Sequence, residues 1–361
     1  MTNQTVSTPG GRERARAPGT RPRVLVIIVN YKAAKLALEA VRSLEDERAL
    51  GTLDLRVVVI ENASGDEQAL REGLAGKEGV SLIVAERNGG FAYGNNIGFR
   101  HAYETGFVPD FFYLLNPDTR VYPGAVTRLC QFMDEHPDAG IAGSSLEDGD
   151  GEDWPIAFRF PTLQSEIDAA MGFGVVTKLL GKWSVPRRMG KLAEPVDWLP
   201  GASMLIRREV IEAIGGLDEE YFLYYEETDF CLKAKRAGFG CWYVPDSRVV
   251  HIAGQSTGVT AKDAVRTRYP SYWFESRRRF FMKNHGLGYA AATDLVFALA
   301  SGFGCVKALL KRQDAKERAA FVYDVLRFSP LLGKNRVVKT EKSFAPPLVA
   351  ESSTRISTPA Q

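Results

Sequence analysis

Four short apolar runs, each leading into a polar turn, constrain this chain more than any other feature. Residues 24–29 are continuously apolar and end in the polar Asn30. Residues 55–60 are rich in valine and lead into Glu61-Asn62-Ala63-Ser64, and residues 80–84 form a third run. Residues 111–115 form a fourth, ending at Asn116-Pro117-Asp118. Runs of this kind mark strands buried on both faces of a parallel sheet. Between them, Leu36, Ala40, Val41 and Leu44, and then Leu70 and Leu74, recur at helical spacing. The β-α-β-α alternation predicts an α/β fold with a doubly wound, mostly parallel central sheet. Ligands of such sheets bind beyond the carboxyl ends of the strands. Asn30, Glu61, Asn62, Asn88 and Asp118 stand at those ends and are expected to converge.

The rest of the chain is more mixed. Residues 88–98 (Asn-Gly-Gly-Phe-Ala-Tyr-Gly-Asn-Asn-Ile-Gly) have a glycine density that calls for special backbone angles or close approach to a ligand. A helix is expected from about Tyr93 to Thr105. Residues 172–194 suit a mobile lid, and 197–206 a loop entering a strand. A short helix over 208–214 closes at Gly215-Gly216, and another over 227–237 is capped by Gly238. Strands are expected at 241–244 and, separately, ending at Val249-Val250-His251. From Tyr269 onward the pattern turns helical and basic.

The net charge of +2 hides an asymmetry. Residues 24–261 carry 23 basic and 35 acidic side chains, net −12; residues 1–23 carry net +4 and residues 262–361 net +10. Basic ends around an acidic core point to an anionic partner. The core lacks any nucleic-acid reader motif, which argues against nucleic acid. Four cysteines without a Cys-x-x-Cys pair read as free thiols in a reducing cytoplasm. Residues 1–23 have no apolar stretch and read as a disordered tail, not a signal peptide. The expected organisation is 1–23 tail, 24–261 α/β domain, 262–340 basic amphipathic helical extension and 341–361 disordered tail.

Three constellations carry chemistry. Asp118 at a strand end can bind a divalent cation bridging a diphosphate, although Asn-Pro-Asp is equally a turn sequence. Glu226, Glu227 and Asp229 crowd three carboxylates into four residues, so at least one pKa should rise, as suits a general base; acids at a helix N-terminus also complement its dipole. His251 is a candidate second metal ligand beside Asp118, or a simply hydrogen-bonded strand end. Gln255, Ser256 and Thr257 follow as phosphate contacts or ordinary loop residues. No G-x-G-x-x-G or P-loop spacing occurs, which disfavours a dehydrogenase or a P-loop enzyme.

Taken in order, the pieces resemble glycosyltransferase family 2, of GT-A fold. They are Val29-Asn30-Tyr31, Glu61 to Ser64, Asn88 to Gly98, Leu114 to Asp118, Pro200-Gly201-Ala202, Gly216 to Phe222, Tyr225 to Leu232 and Val249 to His251. Within the family the chain looks most like the rhamnosyltransferases of bacterial surface glycans. The resemblance implies an inverting hexosyltransferase that takes a sugar from a dTDP- or UDP-linked donor, with Mg²⁺ or Mn²⁺ as cofactor. It implies donor contacts from Asn30, Tyr31, Glu61, Asn62, Asn88, Gly90, Phe91, Asn95, Asn116 and Gly201. It implies Asp118 and His251 at the metal, and Glu227 as base with Glu226 and Asp229 beside it. Glu61, Asn116 and Glu227 each replace a usual Asp of the family pattern.

A lipid-diphosphate or glycan acceptor is expected, and with it peripheral attachment to the inner face of the cell membrane. The attachment segment is 266–310, where basic and aromatic residues precede an apolar stretch that Asp294 interrupts; residues 287–310 read as an amphipathic helix that lies on the membrane or packs on the core. Self-association into a homo-oligomer is left open. The competing reading from another class is a non-catalytic module that binds a sugar nucleotide or glycan; it predicts missing acids, and the acids are present.

Overall fold

The computed structural model describes residues 19–154, 156–171, 180–252, 268–310 and 316–347, with side chains 306–310 and 316–318 left aside. Gln255, Ser256, Thr257 and Arg266, most of the 1–23 tail and residues 172–179 of the expected lid lie outside the described residues.

The four apolar runs are strands: β1 (Arg23–Asn30), β2 (Asp54–Glu61), β3 (Val80–Val84) and β4 (Phe111–Leu115). Helices α1 (Ala34–Ala49), α2 (Glu67–Leu74) and α3 (Gly90–Glu104) connect them. The strands pair in parallel in the order β3-β2-β1-β4, with Asn30 opposite Glu61 at the carboxyl ends. Residues 24–28 are almost wholly buried, as strands covered on both faces must be.

Beyond β4 the sheet changes direction. Next come β5 (Thr119–Val121), α4 (Ala125–Glu135), β6 (Ala139–Glu147), α5 (Leu163–Met171), β7 (Glu194–Val196) and β8 (Ser203–Arg207). They are followed by α6 (Arg208–Ile214), α7 (Glu226–Arg236) and β9 (Gly240–His251). The sheet has nine strands in the order β3-β2-β1-β4-β8-β6-β9-β5, with β7 paired to β9. Strand β8 runs antiparallel to both β4 and β6, while β6 and β9 are parallel. The sheet is therefore mixed, with its parallel half as expected and an antiparallel strand inserted at the centre.

Three local expectations need correction. Residues 240–251 form one strand, not two. Val244 pairs with Ser144 and Arg248 with Ser145, so Pro245-Asp246-Ser247 is accommodated as an irregularity in a continuous strand; a bulge tolerates the proline's missing N–H. Helix α3 begins at Gly90, not near Tyr93, because Asn62 and Asn88 fix the turn before it (see below). The chain after 341 is not all tail: Phe344 is 6% exposed and packs on Phe99 and Tyr103 in the main core.

The basic C-terminal region is helical: α8 (Ser271–His285), α9 (Leu287–Leu310) and α10 (Lys316–Phe328). It packs on the α/β domain through buried ion pairs. Arg279 bonds Asp218 at 2.6 Å, and Lys283 reaches both Asp218 and Asp229. Asp294 of α9 pairs inward with Arg277 of α8, which also holds Glu166 of α5 at 2.7 Å. Among the described residues no disulfide links the four cysteines.

Candidate active site

The carboxyl ends of β1, β2 and β4 open into a cavity of about 330 Å³. Tyr31, Asn62, Asn88, Gly90 and Phe91 line its strand-end side, with Asn116, Asp118 and His251 alongside. Glu226 and Glu227 line it from the start of α7. Ten of the residues singled out in the sequence therefore share one cavity.

The turn at Asn88 is built by two side chains, those of Asn62 and Asn88; Asn88 Oδ1 accepts from Gly90 N at 3.1 Å. Asn62 Nδ2 donates to Asn88 Oδ1 and to the Gly90 carbonyl, both at 3.1 Å, while its Oδ1 accepts from Gly89 N at 3.4 Å. Gly90 has φ +85°, and a Cβ there would lie 1.8 Å from the Phe222 carbonyl oxygen. The position therefore demands glycine on both conformational and steric grounds. Phe91 N donates to that same carbonyl at 3.1 Å, which joins the loop before α7 to the start of α3.

Asn30 and Glu61 lie beneath the cavity. Glu61 Oε1 accepts from Ser64 N at 2.6 Å and Ser64 Oγ at 2.5 Å, closing the turn after β2. Asn30 Nδ2 donates to Asp66 Oδ2 at 2.9 Å, and Asp66 also accepts from Ala34 N at 3.1 Å. Asp66, not singled out in the sequence, thus ties β1 to the turn after β2. Asn95 donates to the Phe91 carbonyl at 2.9 Å from within α3. Gly201 sits behind Glu227, whose Oε1 accepts from Gly201 N at 3.2 Å.

The acid-lined side follows a tight corner. Tyr224 and Tyr225 hold φ near +71° and +70°, a left-handed conformation rare for bulky residues. Two such residues in succession store strain of the kind found where function fixes a side chain's aim. They deliver Glu226 and Glu227 at the N-terminus of α7. Burial raises the Glu226 pKa well above the carboxylate range, and the neighbouring Glu227 charge adds to it. Burial also raises the Glu227 pKa, against hydrogen bonds from its own backbone and from Gly201. Asp229 points elsewhere. It accepts from Lys283 at 2.6 Å, Asn284 at 2.6 Å and Tyr221 at 3.3 Å, so it anchors α8 and is not part of the cavity wall.

At the opposite strand ends, His251 Nε2 lies 3.3 Å from Asp118 Oδ1 and 3.5 Å from Asn116 Nδ2. β5 and β9 set this geometry by pairing Thr119 with His251. Trp154 lies beside the imidazole, 6.1 Å between centroids. Among the described residues no group of three or more His, Cys, Asp or Glu side chains gathers as a metal cage. The sequence reading missed Phe222, Tyr224 and Tyr272, which complete the cavity wall. Phe222 stood in a quoted motif without a role, Tyr224 directly precedes one, and Tyr272 lies far off in the helical extension.

The profile of the family described as glycosyltransferase like family 2 matches residues 22–279, most of the chain and the whole of this cavity. The chain belongs to this family. Among family relatives, the dTDP-rhamnosyl transferase RfbF of Shigella flexneri is 28% identical over 67% of this chain and 76% of its own. An N-acetylglucosaminyl-diphospho-decaprenol L-rhamnosyltransferase of Mycobacterium tuberculosis is 33% identical over 42% of this chain. That match spans about half the length of the mycobacterial relative. The fold is also that of solved glycosyltransferases. A mannosyltransferase from Pyrobaculum calidifontis, in complex with GDP-Man and Mn²⁺, superposes with TM-score 0.53 at 17% identity, over 88% of this chain and 89% of that one. The GT-A expectation is thereby met.

Proposed function

We propose that this family 2 glycosyltransferase is an inverting hexosyltransferase that moves a sugar from a nucleotide diphosphate to a glycan or lipid-diphosphate acceptor. The observation that carries the reading is the meeting of two sets in one cavity: Asp118 and His251 at the strand ends, and Glu226 and Glu227 at the start of α7. Tyr31, Asn62, Asn88, Gly90, Phe91 and Asn116 face the donor; Asn30, Glu61, Asn95 and Gly201 support them from behind.

A raised pKa and a direct view of the cavity suit Glu227 to general-base work. In the proposed step Glu227 takes the proton of an acceptor hydroxyl. The acceptor oxygen bonds to the anomeric carbon from the face opposite the diphosphate. The bond from that carbon to the diphosphate oxygen breaks, and its electron pair leaves with the nucleotide. The carboxylate of Asp118, the oxygen ligand that hard cations such as Mg²⁺ or Mn²⁺ prefer, and the imidazole of His251 3.3 Å from it would hold such an ion there. Such an ion, when bound, offsets the charge on the departing diphosphate.

Rhamnose from dTDP-rhamnose is the favoured donor, since two relatives are named as rhamnosyltransferases and one as dTDP-dependent. A UDP-linked glucosyl or galactosyl donor is the alternative. Calorimetry with dTDP-rhamnose, UDP-glucose, UDP-galactose and GDP-mannose, each with and without Mn²⁺, tests the reading. Metal-dependent binding of one donor, together with its slow hydrolysis, is expected. Metal-independent binding without hydrolysis would favour the non-catalytic module instead.

A second reading concerns location: peripheral attachment to the inner face of the membrane. It is favoured by Leu295, Leu299 and Phe303, an exposed apolar stripe on α9 within the basic region.

A further inference from the structure

The cavity wall contains a group that the donor does not account for. Phe222, Tyr224 and Tyr272 all line it, and the Tyr272 ring contacts each of the other two. The Phe222 and Tyr272 rings lie 5.3 Å apart, and Tyr224 stacks on Tyr272 at 6.2 Å with 19° between planes. Tyr272 belongs to α8, so the C-terminal extension supplies part of the wall. Beside these rings stands Glu226, 1% exposed, whose Oε2 is buried without a hydrogen-bond partner among the described residues. A buried carboxyl oxygen left without a partner is costly, and such atoms in a cavity point to a ligand group.

Position separates this group from the nucleotide contacts. Tyr31, Asn62 and Asn88 come from the ends of β1, β2 and β3, whereas the aromatic cluster flanks the α7 corner. A general base works only within about 2.6–3.2 Å of the hydroxyl it deprotonates. The ring bearing that hydroxyl must then lie within one sugar's breadth of Glu227, beside Glu226 and Tyr224. Tyrosine and phenylalanine faces carry partial negative charge. They favour the C–H face of a pyranose, and with two adjacent carboxyl groups they disfavour an anionic ring.

We propose that Phe222, Tyr224, Tyr272 and Glu226 form the acceptor subsite, holding a neutral pyranose with its C–H face on the rings and one hydroxyl donating to Glu226 Oε2. This rests on the transferase reading above and adds to it the class of acceptor and the part played by the extension. Tyr272 fixes which acceptor ring is taken, although it lies outside the strand-end motifs.

Saturation-transfer NMR tests it, with methyl glycosides of N-acetylglucosamine, glucose, galactose and glucuronic acid added to the full chain with dTDP and Mn²⁺. The neutral glycosides should receive saturation at their ring protons, and methyl glucuronide markedly less. Tyr272→Ala and Phe222→Ala should weaken glycoside binding about tenfold, while Tyr272→Phe, which keeps the ring, should retain it. Calorimetric donor affinity should stay within about twofold in all three, at the scatter of a surface change. Intact donor binding with glycoside affinity unchanged by Tyr272→Ala would overturn the subsite alone. Donor affinity lost in Tyr272→Ala, with Tyr272→Phe normal, would assign the wall to the nucleotide and overturn it too. No donor binding in the wild type would overturn the transferase reading on which it rests.

Discussion

At the scale of single residues, the two glutamates before α7 divide one chemical task. Glu227 keeps a hydrogen bond from Gly201 and faces the cavity, while Glu226 is buried with an oxygen unpartnered. Glu227→Gln should therefore keep donor affinity and lose about 10²–10⁴-fold in turnover. Near-wild-type turnover would remove Glu227 from the mechanism. Because burial raises the Glu227 pKa, the acid limb of the rate profile should lie above the ordinary carboxylate range. Activity should rise with pH through that limb, and the limb should vanish in the glutamine variant. Glu226 has a stability consequence of definite sign. Its folded pKa is raised, so the folded state holds a proton that the unfolded state releases. That contribution is intact below the unfolded pKa and is lost as pH rises through the folded one. Glu226→Gln removes the loss and should stabilise the neutral-pH protein by about 0.5–2 kcal/mol, as relief of functional-site strain commonly does; thermal melts at pH 5 and pH 8 measure it. The sequence showed the acidic cluster but not this division. Asp229 was grouped with the glutamates, yet two residues of helix turn a side chain by about 200°. That turn sends Asp229 to Lys283 on the far side.

At the scale of elements, legibility followed periodicity. The four parallel strands are continuous apolar runs and the first two helices between them repeat their apolar residues at helical spacing, and these are where the pattern put them; α3, whose start rests on side-chain bonds from Asn62 and Asn88, begins three residues earlier than its pattern suggested. The segments that escaped notice lack any period. Residues 341–347 carry two prolines and no apolar rhythm, so composition alone suggested a tail. Yet the backbone of this strap is bonded, Gly216 N to the Phe344 carbonyl at 2.8 Å and Glu219 N to the Lys342 carbonyl at 2.7 Å. Glu341 pairs with Lys233 of α7 at 2.7 Å and with Lys283 of α8 at 2.9 Å. Burial alone would raise the Glu341 pKa, but these two ammonium groups hold it down at about 2. The latch is therefore complete above the ordinary carboxylate range and fails as pH falls toward that value. Phe344 is the strap's buried anchor, so Phe344→Ala should cost about 3–5 kcal/mol of unfolding free energy. Denaturant titration checks this; a loss under 1 kcal/mol, on the order of a surface change, would mean the strap merely lies on the domain. Because Lys233 extends the helix that begins with Glu226 and Glu227, the same variant should lower turnover before it lowers donor affinity.

At the scale of the whole molecule, the question is which surface the basic extension presents, and α9 answers through its orientation. Its one acidic residue faces inward, where Asp294 is neutralised by Arg277. Its outer face carries Leu295, Leu299 and Phe303, four residues apart and 49%, 67% and 68% exposed. A helix on an ordinary water-facing surface turns its charges outward and its apolar stripe inward. The helix has the length and composition to cross a bilayer, with a third of its most apolar window buried in the protein. Thr293 and Ser301 are also buried against its neighbours, and Arg277 of α8 is locked between Asp294 and Glu166. A crossing would have to carry those pairs into lipid or break them, and either is costly. Lying flat, with the stripe in the headgroup region, keeps them intact. The net +10 that the sequence carries over residues 262–361 adds a charge attraction to anionic lipid. The protein should float with vesicles containing anionic lipid at low salt and release as salt rises, since screening weakens the charge term. Burying Leu299 and Phe303 is worth about 1.5–3 kcal/mol each. Leu299→Glu with Phe303→Glu should therefore cut vesicle binding at least a hundredfold, while the exposed positions leave the melting temperature within a few degrees. Failure of the wild type to float at low salt would end the membrane reading. Retention through high salt and alkaline extraction would instead require α9 to span the bilayer and its ion pairs to part.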